Sequence, residues 1–210
     1  MRRDPITVLT AMPSRSALGA LLMIFSPGAG FAEDLCQGHK LLKSPRPASS
    51  CHVVGLRTYV SPDGELRASA IPTGVSLYAT PDIESRVVIR SSRGDTLTSK
   101  DYSSPRGTSG YYVHEAKWTP DSRFFVFNMI SSGGHSPWSF PTMVYSRQKN
   151  QLASVSDMID GKPLLSGDFQ VTAPHSLTVS TWKQPGDLDH PVKLTIDLEK
   201  AFAKVPASAN

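Results

Sequence analysis

Residues 118–129 read Trp118-Thr119-Pro120-Asp121-Ser122-Arg123-Phe124-Phe125-Val126-Phe127-Asn128-Met129, and this stretch decides the fold. Proline presets φ at the second position of a tight turn, and aspartate bonds the backbone N–H groups that follow it. The turn therefore joins a strand ending in Trp118 to a strand beginning near Arg123. Side chains alternate along a strand, so Phe125, Phe127 and Met129 face one way while Phe124 and Val126 face the other. A ribbon that is apolar on both faces must be covered on both faces, as in stacked sheets or the blades of a propeller.

Outward from this hairpin, short apolar runs alternate with turn signals. Strands are expected at 52–60, 67–71, 74–79, 86–91, 111–117, 123–130, 142–147, 176–182 and 192–196. Between them lie Ser61-Pro62-Asp63-Gly64, Thr80-Pro81-Asp82, Arg93-Gly94-Asp95, Ser132-Gly133-Gly134 and Gln184-Pro185-Gly186-Asp187. Seventeen prolines and fifteen glycines, spread along the chain, leave little room for long helices. One helix is expected over 197–204, where Asp197 can cap and Leu198, Ala201 and Phe202 share a face. The expected fold class is all-β: antiparallel hairpins in a meander, partly propeller-like or sandwich-like, with a short C-terminal helix.

The segment 118–127 resembles the repeat of TolB-type β-propellers, whose blades carry W-S-P-D-G followed by a hydrophobic strand. Trp118, Pro120, Asp121, Phe125 and Phe127 stand at the matching positions, and Ser122 replaces the usual glycine. Pro81-Asp82, 39 residues earlier, suggests a fainter copy, and Ala173-Pro174-His175-Ser176 before Leu177–Trp182 suggests a third, 54 residues after Pro120. The resemblance implies a blade hairpin and a partial or modified propeller, since a blade takes about 40–45 residues. Residues 74–97 are also similar to the opening of bacterial Src-homology-3-like domains, with a Pro-containing loop, a Val-rich strand and the Gly94-Asp95 turn. That family often binds cell-wall peptides. Its closing G-W-x-x-V has only a loose substitute in Thr108–Tyr112.

The N-terminus has a different character. Ala17–Phe25 is an uncharged apolar run preceded by Arg2, Arg3 and Arg15 and followed by Ser26-Pro27-Gly28 and Gly30-Phe31-Ala32. A basic leader, a short apolar core and small residues before a cleavage point make a secretory signal peptide. The expected organisation is a signal peptide over 1–32, starting at Met1 or Met12, and one β-rich domain over 33–210 in the periplasm or outside the cell. Nine apolar residues fall short of the roughly 20 that span a bilayer, so no membrane insertion is expected after cleavage.

Cleavage removes three arginines and one aspartate, which lowers the formal charge from +4 to +2. Without a concentrated basic face, nucleic-acid binding is not expected. Cys36 and Cys51 both follow the leader, and an oxidising compartment makes their pairing the default. Such a loop closure stabilises by about 3 kcal/mol on a chain-entropy estimate and would tie down the Pro- and Ser-rich segment 43–50.

The chain carries no nucleophile elbow, phosphate-cradling glycine loop, H-E-x-x-H helix or calcium loop. No cofactor or metal is therefore expected, and no catalytic residue is assigned. His114 and Glu115 are neighbours on a strand, so a regular strand sends their side chains to opposite faces. Asp121 and Asp82 read as turn-formers. The candidate binding residues are His135, Ser136 and Trp138, in the loop Ser131-Ser132-Gly133-Gly134-His135-Ser136-Pro137-Trp138. The glycines permit a sharp turn, and Trp138 offers a flat apolar surface with a polar edge. Together these features point to a non-catalytic binding or scaffolding module of the bacterial envelope, its partner an envelope protein or a cell-wall glycan. The alternative is a small envelope hydrolase using His135 with a nearby serine or a metal.

Overall fold

The computed structural model describes residues 56–73, 84–107, 109–133, 140–183 and 190–206. They form three antiparallel meanders in succession. The first sheet contains β1 (Arg57–Val60), β2 (Leu66–Pro72), β3 (Ser85–Ser91) and β4 (Thr96–Asp101). The middle sheet contains β5 (Tyr111–Trp118), β6 (Phe124–Ser131), β7 (Thr142–Ser146) and β8 (Gln151–Ser154). A single helical turn, α1 (Val155–Met158), leads to the third sheet of β9 (Leu164–Thr172), β10 (Ser176–Trp182) and β11 (Pro191–Asp197). The chain then enters α2 (Leu198–Ala203), where the Asp197 carboxylate accepts from the Lys200 N–H as the cap expected from sequence. The first strands of the meanders converge, with β1 and β9 both against β5.

The middle sheet is covered on both faces. Phe125, Phe127 and Met129 enter a core with Leu66, Ala68, Ala70, Val87 and Ile89 of the first sheet. Phe124 and Val126 enter a second core with Phe169, Leu177, Val179 and Ile196 of the third sheet and with Phe202 of α2. Phe127 and Val126 have no exposed surface, so the alternation read from the sequence is a division between two cores. Trp118 joins the sheets by shape and by polarity. Its ring centroid lies 5.0 Å from that of Phe125, and its Nε1–H donates to the Tyr59 carbonyl at 2.9 Å.

The Thr-Pro-Asp turn has a twin 58 residues earlier. In the β5–β6 turn, Thr119 Oγ1 donates to Asp121 Oδ1 at 2.6 Å and accepts from the Phe124 N–H at 3.0 Å. In the β1–β2 turn, Ser61 Oγ donates to Asp63 Oδ1 at 2.6 Å and accepts from the Leu66 N–H at 2.9 Å. The expected earlier copy, Pro81-Asp82, lies outside the described residues; the turn that repeats the geometry is Ser61-Pro62-Asp63-Gly64. The third turn, at Pro174-His175, also joins the first two strands of its meander, β9 and β10.

Gly64 and Ser122 occupy the same place in the twin turns, with φ of 74° and 61°. Glycine adopts that conformation freely, whereas serine does so at a cost. Ser122 is offset by a cross-sheet bond: its Oγ accepts from the Asp63 N–H at 3.0 Å. Ser122→Ala, which keeps the strain and loses the acceptor, is expected to destabilise by about 1 kcal/mol. Ser122→Gly relieves the strain and should lose less. Urea unfolding of both variants checks the order, and a glycine variant less stable than the alanine variant contradicts it.

β4, β8, β9 and α1 are not among the expected elements, and the strand expected at 74–79 lies outside the described residues. The strand expected at 52–60 is described from Arg57 onward. Among the described residues, no helix is long and apolar enough to cross a membrane. The two cores leave one face of the third sheet polar, where Thr178 Oγ1 meets Thr195 Oγ1 at 2.9 Å and Lys193 donates to Ser180 Oγ at 2.8 Å.

Candidate functional site

Two features distinguish the ends of the sheets, and each is built from turn or loop residues. At one end the twin turns and the Pro174-His175 turn are linked laterally. His175 Nδ1 lies 2.7 Å from Asp121 Oδ2, its ring packs on Phe124 at 5.8 Å, and its Nε2 is 3.5 Å from Glu199 Oε2. Arg123 pairs with the same Glu199, at 2.7 Å from Oε1. Arg147, just after β7, grips Asp63 and Glu65 of the β1–β2 turn with its two terminal nitrogens.

Two turn carboxyls at this end are held below their ordinary range. Burial alone raises the Asp63 carboxyl, but the Ser61 hydroxyl, the Glu65 N–H and the Arg147 guanidinium pull it down to about 2. Asp121 is lowered in the same way: burial opposes, while the Thr119 hydroxyl, the His175 ring and the Arg123 N–H prevail. Asp121 is thus a turn-former, as its place in the sequence implies, and it also ties two neighbouring turns together.

The opposite arrangement is centred on Glu84, which precedes β3 and is only 1 % exposed. Its carboxylate accepts from the Ser104 N–H at 2.5 Å, the Ser109 N–H at 2.9 Å and the Gly110 N–H at 2.5 Å. The Ser104 hydroxyl adds a bond at 2.9 Å, and the Ser132 hydroxyl one at 2.6 Å. Burial by itself would raise this carboxyl, yet the Ser132 hydroxyl, the Gly110 and Ser104 N–H groups and the Ser104 hydroxyl outweigh it and hold it below its ordinary range. A carboxylate stabilised by so many donors stays ionised at neutral pH and serves as an anchor. It fixes the roots of two loops, the one between β4 and β5 and the one that leaves β6 at Ser132.

Gly110 makes this anchor possible. A Cβ there would stand 2.6 Å from Glu84 Cδ, from the Ser104 nitrogen and from the Tyr102 carbonyl oxygen. Two of those three atoms are backbone, so the neighbours cannot swing aside.

His135, Ser136 and Trp138 lie outside the described residues, as do Cys36, Cys51 and Asp82. Three residues before His135 in the chain stands Ser132, whose hydroxyl is committed to Glu84 and whose N–H donates to the Gly110 carbonyl at 2.9 Å.

His114 and Glu115 do not sit on a regular strand. The register of β5 on β6 shifts between Val113 and Ala116, so both residues lie opposite the single Asn128. Asn128, fully buried, accepts from the Glu115 N–H at 2.8 Å and donates to the Gly167 carbonyl of β9. The bulge is a joint between the middle and third sheets. Glu84, Asn128 and Gly110 are not among the candidates from sequence. A lone polar residue beside an apolar strand was the available signal, and it does not say what the residue will meet.

Among the described residues, no group of three or more His, Cys, Asp or Glu side chains is arranged to hold a metal ion. No protein-family model matches the chain, and no match to a curated protein was found.

Proposed function

We propose that the chain is a secreted or periplasmic, non-catalytic binding and scaffolding module of the bacterial cell envelope. On this reading it contacts an envelope protein or a cell-wall glycan through the loop bearing His135, Ser136 and Trp138. The observation that carries the reading is the Glu84 anchor, which pins the root of that loop at Ser132 onto a sheet buried on both faces. Loops on rigid frameworks are the usual place for recognition, because the framework limits the ordering cost of binding. The linked turns at the other end support the same view, since they join the three sheets laterally and stiffen the frame. The export signal read in residues 1–32 supplies the compartment.

Retention on insoluble cell-wall glycan and recovery of partners from envelope extract, compared for wild type and Trp138→Ala, test the tip. Truncating a central tryptophan should weaken one of these by roughly ten-fold or more. Equal behaviour of the two proteins in both assays removes the tip from the account. A panel of esterase and peptidase substrates, run beside metal analysis, tests the non-catalytic part. Turnover that disappears in His135→Ala would replace the binding module by a hydrolase.

A further inference from the structure

The third sheet is one strand short of its neighbours. The first and middle sheets each have four strands, whereas the third ends at β11, whose outer edge pairs with no other strand among the described residues. Instead of a fourth strand, a groove of about 290 Å³ runs along Leu194, Thr195, Ile196 and Asp197. Its lining includes the apolar residues Met158, Ile159, Leu194, Ile196 and Ala201. Its rim carries Lys162, Lys200 and Lys204 against Asp160 and Asp197.

Only one of those lysines is paired, Lys200 with Asp197 at 3.6 Å, and its side chain is 85 % exposed. Lys162 and Lys204 have no ion-pair partner among the described residues, which leaves the rim with a positive excess. An open strand edge presents unpaired N–H and C=O groups in the geometry that an extended peptide satisfies. The first part of β11 is protected by Pro191 and Lys193, devices that discourage edge pairing. The segment Leu194–Asp197 lacks them, and it is this segment that borders the groove.

We propose that the groove binds an extended, acidic segment of a partner protein as the fourth strand of the third sheet. β8, which completes the middle sheet, is four residues long, and the groove spans the same number of β11 residues. Four residues extend about 13 Å, and alternate side chains point to opposite sides. One set covers Met158, Ile159 and Ala201, and glutamates or aspartates in the other set reach Lys162 and Lys204. Main-chain bonds supply the affinity and the lysines select the sign of charge. This site is separate from the loop at Ser132, so either proposal survives the failure of the other.

The test uses the full chain and three fluorescent ten-residue peptides. One alternates valine with glutamate, one alternates valine with lysine, and one is the glutamate peptide N-methylated at alternate residues. Binding is read by fluorescence anisotropy. The glutamate peptide should bind, the lysine peptide and the N-methylated peptide should bind at least roughly ten-fold more weakly, and hydrogen exchange should slow at Leu194–Asp197. The double variant Lys162→Glu with Lys204→Glu changes exposed residues only, so it should fold normally and lose the glutamate peptide by a similar factor. Absence of binding, or binding indifferent to N-methylation or to charge reversal, overturns the proposal. A chain that dimerises through β11 overturns it too, with a second copy as the occupant.

Discussion

Replacing Phe127 by alanine is expected to lower the unfolding free energy by about 3–5 kcal/mol, the range for removing a fully buried aromatic side chain. Phe127 has no exposed surface and lies 5.6 Å from the Phe125 ring and 5.9 Å from the Tyr102 ring. The cavity cannot close, because its walls are strands held in register from both sides. Phe124→Ala should approach the same cost through the other core, where the ring meets Phe202 at 6.1 Å. Urea unfolding at neutral pH measures both. A loss below about 1 kcal/mol at either position would mean that the corresponding face of β6 is not packed as described.

The second large effect belongs to Glu84. In Glu84→Gln the shape is kept, but either side-chain oxygen that becomes NH₂ points at the N–H groups of Ser104 or of Ser109 and Gly110. Stranding a buried donor costs about 1–3 kcal/mol; Gly110 is buried and Ser104 half-buried while Ser109 is exposed, so a loss of about 1–3 kcal/mol is expected at neutral pH. Gly110→Ala should be comparably damaging, since its methyl would stand among fixed backbone atoms.

The acid dependence has a definite sign. Folding lowers the Glu84 carboxyl below its ordinary value of 4.5, so its contribution is complete above that pH and declines as the pH falls through the folded value. Asp63, lowered from 3.8 to about 2, acts in the same direction further down. Wild type should therefore lose stability steadily from about pH 4.5 downward, and Glu84→Gln should show a shallower decline. Equal stability of the two proteins at pH 7, with parallel acid limbs, would show that Glu84 is not the anchor.

The two-faced strand was legible because its periodicity is strict: five apolar residues in six positions leave no face for water. β2, β3, β5, β6, β7, β10 and β11 share enough of that pattern to be found. β4 was not, because Thr96-Leu97-Thr98-Ser99-Lys100-Asp101 is polar and its pairing with β3, not its composition, makes it a strand. β9 was hidden by Gly167 and Asp168, residues that usually mark a turn. Gly167 is there because a Cβ would meet the Asn128 amide nitrogen at 2.7 Å. The anchor was illegible for a related reason. Its donors come from residues 104, 109, 110 and 132, and only folding brings them to one carboxylate. The kinship of the turn at Ser61–Gly64 with Thr119–Ser122 stands in the sequence itself, as Ser-Pro-Asp-Gly against Thr-Pro-Asp-Ser, and the paired hydroxyl-to-carboxylate bonds follow from it.

The hydrophilic exterior of β10 and β11 has a consequence for how such a chain can grow. Among the described residues, Thr178, Lys193 and Thr195 give a newcomer little apolar surface to settle on, so the described layers end at that surface. Lengthening the array by tandem duplication would first require rewriting Thr178, Lys193 and Thr195 as aliphatic residues.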